Sequence, residues 1–164
     1  MNKKNSFSLL SGIALLFSMS IAQAESPLEG AWLAVSNVAE DGTETDAQSG
    51  LYVFTPTHYS IMFVNTAEAR PAYEGEQQTD AEKLANYDSI TANSGRYEID
   101  GNILKTRAYV AKDTNYMGGW PDNETTFEFS VDGDKLTIKS ISFPAAFTVI
   151  MRQVEGTENP WDSD

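Results

Sequence analysis

The sequence predicts an all-β domain: an eight-stranded antiparallel barrel of up-and-down order, with one short helix between its third and fourth strands. Three observations point there: two Asp-Gly turns flanked by alternating apolar residues, an aromatic hairpin over 51–64, and connections that alternate between tight turns and long loops. The turns come first. Tyr97-Glu98-Ile99-Asp100-Gly101-Asn102-Ile103-Leu104 and Phe129-Ser130-Val131-Asp132-Gly133-Asp134-Lys135-Leu136 are near-repeats. Asp-Gly suits the positive φ of a two-residue hairpin turn. Pairing outward from it sets Tyr97 opposite Leu104, Phe129 opposite Leu136 and Phe127 opposite Ile138. The apolar residues then share one face, and Glu98, Lys105, Glu128, Thr137 and Lys139 the other, as in a sheet buried on one side.

In the aromatic hairpin a turn at Pro56-Thr57 pairs Phe54 with Tyr59 and Tyr52 with Ile61. Tyr52, Phe54, Tyr59, Ile61 and Phe63 form the inward face, and Val53, Thr55, His58, Ser60 and Met62 the outward one. A first strand near Gly30 to Val38 and a last near Phe147 to Val154 bring the number to eight, and closing the meander into a barrel removes its exposed edges. Tight turns join strands two to three, four to five and six to seven, whereas 39–49, 65–92 and 112–123 are long connections. Successive connections alternate between ends, so one end is pinned shut and the other ringed by loops, where a barrel admits a ligand. The longest loop contains Thr79-Asp80-Ala81-Glu82, a capping box that predicts the helix. This segment is expected to cover the mouth as a lid through Tyr73, Leu84 and Tyr87, with Arg70 at the rim to meet an anionic ligand group.

Residues 1–24 have the form of a secretory leader: Lys3 and Lys4, an apolar stretch from Leu9 to Ile21, then Ala22-Gln23-Ala24. The apolar stretch is well short of the roughly 20 residues that span a bilayer. Glu25 is the expected mature N-terminus, residues 25–164 form one domain of ordinary size, and the expected compartment is the bacterial periplasm or the exterior. The chain has 11 basic and 24 acidic residues and a formal charge of −13, and two of the basic ones lie in the leader. Repulsion disfavours nucleic acid and anionic membrane surfaces. There is no cysteine, hence no disulfide and no lipid-modified N-terminal cysteine.

The segments Leu28-Glu29-Gly30-Ala31-Trp32, Gly50-Leu51-Tyr52-Val53-Phe54-Thr55, His58-Tyr59-Ser60-Ile61-Met62, Arg70-Pro71 and Val110-Ala111-Lys112 together resemble the bacterial lipocalin-like domain family. Gly30-Ala31-Trp32 is similar to the Gly-x-Trp signature of lipocalins and falls at the closed end. The resemblance runs from Leu28 to Val154 and implies a barrel fold without supplying an activity. It also implies that Arg152 or a neighbour stacks on Trp32 as the lipocalin arginine does.

Candidate chemistry is sparse. His58 is the only histidine and, without cysteine, builds no zinc site; it falls at the closed end on the outward face, so it is assigned a structural role. Ser36, Ser60 and Ser140 lack a suitable base. Met117-Gly118-Gly119-Trp120-Pro121 opens no helix and reads as a flexible loop. The acidic pairs Glu74/Glu76 and Asp80/Glu82 suit a solvated loop and a helix N-terminus. No catalytic residue, metal or cofactor is assigned. What remains is a hydrophobic small molecule contacting Tyr52, Phe63, Tyr97 and Phe127 on the inner wall, with Arg70 and Trp120 on mouth loops. Whether the interior is open stays undecided, because eight strands make a barrel that side chains alone are able to fill. Two other readings stay open: an isomerase, cyclase or dehydratase using Tyr97 and Arg70 for proton transfer or anion binding, and an interaction module presenting Val53, Ser60 and Met62 to an unidentified envelope protein.

Overall fold

A computed structural model describes residues 26–66, 70, 72–73, 75–117, 123–142 and 147–154. The expected leader lies outside them. The strands are β1 (Gly30–Ala39), β2 (Glu44–Asp46), β3 (Gly50–Phe54), β4 (His58–Val64), β5 (Ile90–Asp100), β6 (Ile103–Ala111), β7 (Thr125–Asp132), β8 (Lys135–Ser140) and β9 (Phe147–Gln153), with helices α1 (Asp80–Asp88) and α2 (Thr114–Met117). From β3 to β9 each strand pairs antiparallel with the next, and β9 pairs with β1 to close the sheet. β3 runs beside the first half of β1, up to Leu33↔Leu51, and β2 beside the second, from Ser36↔Asp46. β2 thus continues the row of β3 after a break, and the barrel has eight staves. The hydroxyl of Ser36 donates to the Glu44 carboxylate at 2.6 Å across that short pair.

Inside and outside follow the expected alternation. Tyr52, Phe54, Tyr59, Tyr97, Leu104, Leu136 and Ile138 are buried, while Leu51 and Met62 are exposed. The 51–64 hairpin has the predicted register, Phe54↔Tyr59 and Tyr52↔Ile61. The two Asp-Gly hairpins do not. Asp100 pairs with Ile103 and Asp132 with Lys135, so Tyr97 faces Thr106, Phe129 faces Ile138 and Phe127 faces Ser140. The turn residues are Gly101-Asn102 and Gly133-Asp134, with positive φ at the glycine (63° and 60°) and at no non-glycine residue. Glycine at the first central position is the II′ arrangement, which puts the aspartate on the strand. Each partner moves by two residues, an even step, so every side chain keeps its face.

One end is packed shut. The segment before β1 passes beneath the barrel, where Leu28 is fully buried and its carbonyl accepts the indole N–H of Trp32 at 2.8 Å. Trp32, Leu136 and Met151 complete this floor. Because Met151 points inward, Arg152 points outward, exposed and paired across the sheet with Leu33 and Lys135. It does not stack on Trp32, which corrects that expectation.

β6 carries one extra residue: Gly95 pairs with Ala108 but Ser94 with Val110, leaving Tyr109 as a bulge. The bulge reverses the facing of the mouth end of β6, turning Val110 outward and Ala111 inward opposite Asn93. Gly95 makes this bend feasible, since a Cβ there would sit 2.0 Å from the Arg107 carbonyl oxygen and 2.8 Å from the Ala108 Cα.

The helix α1 has the predicted capping box: Thr79 Oγ1 accepts from the Glu82 N–H at 3.3 Å, and the Thr79 N–H donates to the Glu82 carboxylate at 2.7 Å. It buries none of its residues, and Tyr73, Leu84 and Tyr87 are all exposed. The predicted packing of those three over the mouth is therefore corrected. Leu84 and Tyr87 are too few to make an apolar stripe. Tyr87 alone touches the rim, its hydroxyl donating to the Lys112 carbonyl at 3.1 Å.

Gly95→Ala is expected to lower stability by about 1–3 kcal/mol, seen as a lower urea midpoint with an unchanged slope; an unaltered midpoint would contradict the close approach at the bulge. Thr79→Ala is expected to speed amide exchange in α1 while leaving the barrel midpoint in place, because the cap stabilises by about 1 kcal/mol a helix that supports nothing else.

Candidate functional site

The interior above the floor is open. A cavity of about 320 Å³ reaches from the middle of the barrel to the end ringed by long connections. One wall is apolar. Tyr52 on β3 and Phe63 on β4 lie with ring centroids 6.0 Å apart and planes 8° from parallel. Gly50 leaves room for Phe63, since a Cβ there would lie 2.8 Å from that of Phe63. Phe54, Ile61, Leu104, Phe127, Ile138 and Val149 extend the apolar lining. The adjoining stretch of wall is polar but uncharged: Thr91 and Asn93 on β5, next to Phe63 and Ile61, Thr106 on β6 and Tyr116 on α2, with Asn65 at the rim.

α2 brings Tyr116 over the cavity, within the stretch 112–123 that the sequence marked only as a long connection. Asp113 starts the turn by accepting the Asn115 N–H at 2.9 Å, and Asn123 ties it down by donating to the Tyr116 carbonyl at 2.7 Å. An Asx turn of this kind is legible in Asp113-Thr114-Asn115. The hydroxyls of Thr106 and Tyr116 are 3.5 Å apart. Tyr59 lies close enough for Thr106 and Tyr116 to perturb its ionisation, but its buried hydroxyl is aligned with neither and has no hydrogen-bond partner. The side-chain oxygen of Asn93 is also buried without a partner.

Among the described residues two charged ones line the cavity, adjacent to each other at the rim, and both are engaged. The Lys112 ammonium stands 4.3 Å from the centre of the Tyr87 ring, and Asp113 holds the α2 turn.

Of the sequence-predicted ligand contacts, Tyr52, Phe63 and Phe127 come together on the cavity wall. Tyr97 does not join them. It lies three residues from the closed-end turn, packs edge-on against Phe54 at 5.4 Å and donates its hydroxyl to the Thr55 carbonyl at 2.7 Å, with Ser26 Oγ 2.6 Å away. Arg70 is on the outer surface, donating to the Asn86 side chain at 3.1 Å beside a groove formed by Leu33, Leu51, Val53 and Met62. It lines that outer groove and not the barrel cavity, and the paired use of Tyr97 and Arg70 in proton transfer has no shared site. Trp120 lies outside the described residues. His58 is exposed at the closed-end turn, 2.8 Å from the Thr57 hydroxyl. Among the described residues no group of three or more His, Cys, Asp or Glu side chains is placed to hold a metal.

Asn65, Thr91, Asn93, Thr106 and Tyr116 were not singled out in the sequence. The first four are scattered polar residues on or next to strands, and only the barrel's closure sets them around one space.

An eight-stranded closed barrel, floored at one end and hollow at the other, defines a calycin-type binding fold. The match to the Lipocalin-like domain model spans residues 29–148, and the chain belongs to that family. No curated protein matches the chain. Similar solved structures include a lipocalin-like protein from Bacteroides uniformis, 19% identical over 79% of this chain and 100% of that one, with a TM-score of 0.49. Another is an uncharacterized protein from Bacteroides eggerthii, 12% identical over 77% and 99% of the two chains, with a TM-score of 0.46.

Burial in the apolar interior pushes the phenols of Tyr52 and Tyr59 well above the ordinary tyrosine range. In the unfolded chain they ionise near pH 10, so the folded state holds its protons more tightly. Their contribution to stability is complete below that pH and is lost as pH rises toward the folded values. The urea midpoint is expected to fall above pH 10, and Tyr52→Phe to flatten the fall by up to about 1.4 kcal/mol per pH unit. An identical alkaline slope in wild type and Tyr52→Phe would mean that the Tyr52 phenol is not desolvated.

Proposed function

We propose that the protein is an exported binding protein for a small hydrophobic or aromatic molecule, held in the barrel cavity. The observation that carries this reading is the cavity itself: about 320 Å³, lined on one side by Tyr52, Phe63, Phe127 and neighbouring aliphatic residues. That volume lies within the range of small-molecule sites, roughly 300–1,000 Å³. Burying an apolar molecule against this wall releases water from both surfaces, the usual source of affinity in such a site. Lipocalin-like proteins in general hold small hydrophobic ligands, in keeping with the family of this chain.

Export rests on residues 1–24, whose basic start, apolar middle and Ala22-Gln23-Ala24 end have the order of a cleavable leader. Expression of the full chain in a bacterium is expected to yield protein beginning at Glu25 in the periplasmic fraction or the medium. Uncleaved protein in the cytoplasm would remove export from the proposal.

Binding is tested with the neutral fluorescent probe N-phenyl-1-naphthylamine. Ile61→Trp, which fills the cavity, is expected to weaken the probe at least about tenfold, a loss of roughly 1.4 kcal/mol. Met62→Ala, its outward neighbour, is expected to leave the affinity unchanged. Equal binding by wild type and Ile61→Trp would show that the probe sits elsewhere and that the cavity is not the site.

A further inference from the structure

Resting on the cavity reading, we infer that the ligand is an uncharged molecule that carries a hydroxyl group on an otherwise apolar, flat body, and that Asn93 recognises that group. The uncharged character follows from the lining. Lys112 and Asp113 sit side by side at the rim with opposite charges, the first over the Tyr87 ring and the second bonded into the α2 turn. Every other lining residue among the described ones is apolar or a neutral polar group. An ion drawn into this space would lose its hydration and meet no counter-charge, which is costly in an apolar interior. Arg70, the cation that the sequence offered to an anionic ligand, is on the outside.

The hydroxyl follows from an unmet hydrogen-bond requirement. Buried polar atoms in folded proteins are almost all paired, and each exception calls for a physical reason. The Asn93 side-chain oxygen is buried without a partner on the polar wall of the cavity. An O–H donor on a bound molecule supplies that partner. Thr106 donates its hydroxyl to the Thr125 carbonyl at 3.4 Å, while the Tyr116 hydroxyl on the same wall is able to donate to the oxygen of the same group. The flat body follows from the aromatic side chains of the lining, Tyr52, Phe63 and Phe127, with Phe63 on the strand adjoining the polar wall, because aromatic rings pack well against planar partners. A site built to pair with a hydroxyl discriminates strongly against an analogue that lacks it, because the protein group is then left unpaired.

The test uses three compounds of one shape, 2-naphthol, 2-methylnaphthalene and 2-naphthoate, each titrated at neutral pH against the full mature chain by displacement of N-phenyl-1-naphthylamine. Hydrophobicity alone favours 2-methylnaphthalene. The expected result is the reverse: 2-naphthol binds at least about tenfold more tightly than 2-methylnaphthalene, and 2-naphthoate more weakly than 2-naphthol. In Asn93→Leu the preference for the hydroxyl is expected to disappear through weaker 2-naphthol binding, with 2-methylnaphthalene bound as well as before. Asn93→Ala serves the same purpose should the leucine distort the wall. Equal binding of 2-naphthol and 2-methylnaphthalene by the wild type overturns the hydroxyl inference and leaves the apolar cavity standing. Tight 2-naphthoate binding overturns the uncharged ligand, and a preference that survives both substitutions overturns the role of Asn93. Failure of all three compounds while N-phenyl-1-naphthylamine still binds overturns this inference alone; failure of that probe as well overturns the cavity reading with it.

Discussion

Pairing of the first strand with the last is the constraint on which the rest of the structure depends. A meander of this length left open would expose an unpaired edge on β1 and another on β9, inviting association with other chains. Closing it satisfies those backbone groups and fixes the circumference. With eight staves the interior is narrow, so its state is decided by which side chains point inward at each level. Near the floor these include Leu28, Trp32, Leu136 and Met151, all at or below 1% exposure, and no space remains. Nearer the mouth, partly buried Ile61, Phe63 and Phe127 stand back against the wall around open space.

Alternation sets both faces of that space, and one local irregularity widens it. On the β3–β4 side plain alternation presents Tyr52, Phe54, Ile61 and Phe63 in a row. On the β5–β6 side a bulge interrupts alternation, permitted by the missing side chain at Gly95. Beyond it Val110 turns to solvent and Ala111 faces Asn93 across the ladder, so a small residue stands where regular pairing would place a larger one. The bulge thus adds free volume beside a polar wall whose Thr91, Asn93 and Thr106 face inward by alternation alone. Burial of a polar side chain without a partner is a cost in the empty state, and it coincides with the space in which a ligand would repay it.

Much of this was legible in the sequence because strand faces have a period of two and errors of register came in steps of two. Asp100 and Asp132 were given to the turns, whereas the glycine-first turn geometry returns them to the strands; the inward residues were nevertheless the same ones. β2 was not legible, since Glu44-Thr45-Asp46 has no apolar alternation and is a strand only because β1 offers it an edge. At the site, Tyr52, Phe63 and Phe127 follow from alternation alone. Tyr97 has the correct face but the wrong height, because β5 begins as early as Ile90 and its Tyr97 belongs to the closed end. Arg70 and Arg152 were assigned from loop position and family likeness, neither of which sets the direction of a side chain. Asn93 has the inward parity of Tyr97, but it fell at the very start of the strand as read, whereas β5 reaches back to Ile90, and a polar residue gives no apolar alternation to extend the strand by.

The central claim is that the barrel is solid at one end and hollow at the other. Methyl resonances of the protein under dissolved xenon test it most directly, since xenon enters apolar cavities without needing a specific ligand. The methyl groups of Ile61, Leu104, Ile138 and Val149 are predicted to shift with saturable dependence on xenon pressure, while those of Leu28 and Leu136 in the floor stay where they are. Unperturbed resonances for all six would show that side chains fill the interior and that the barrel holds no ligand cavity.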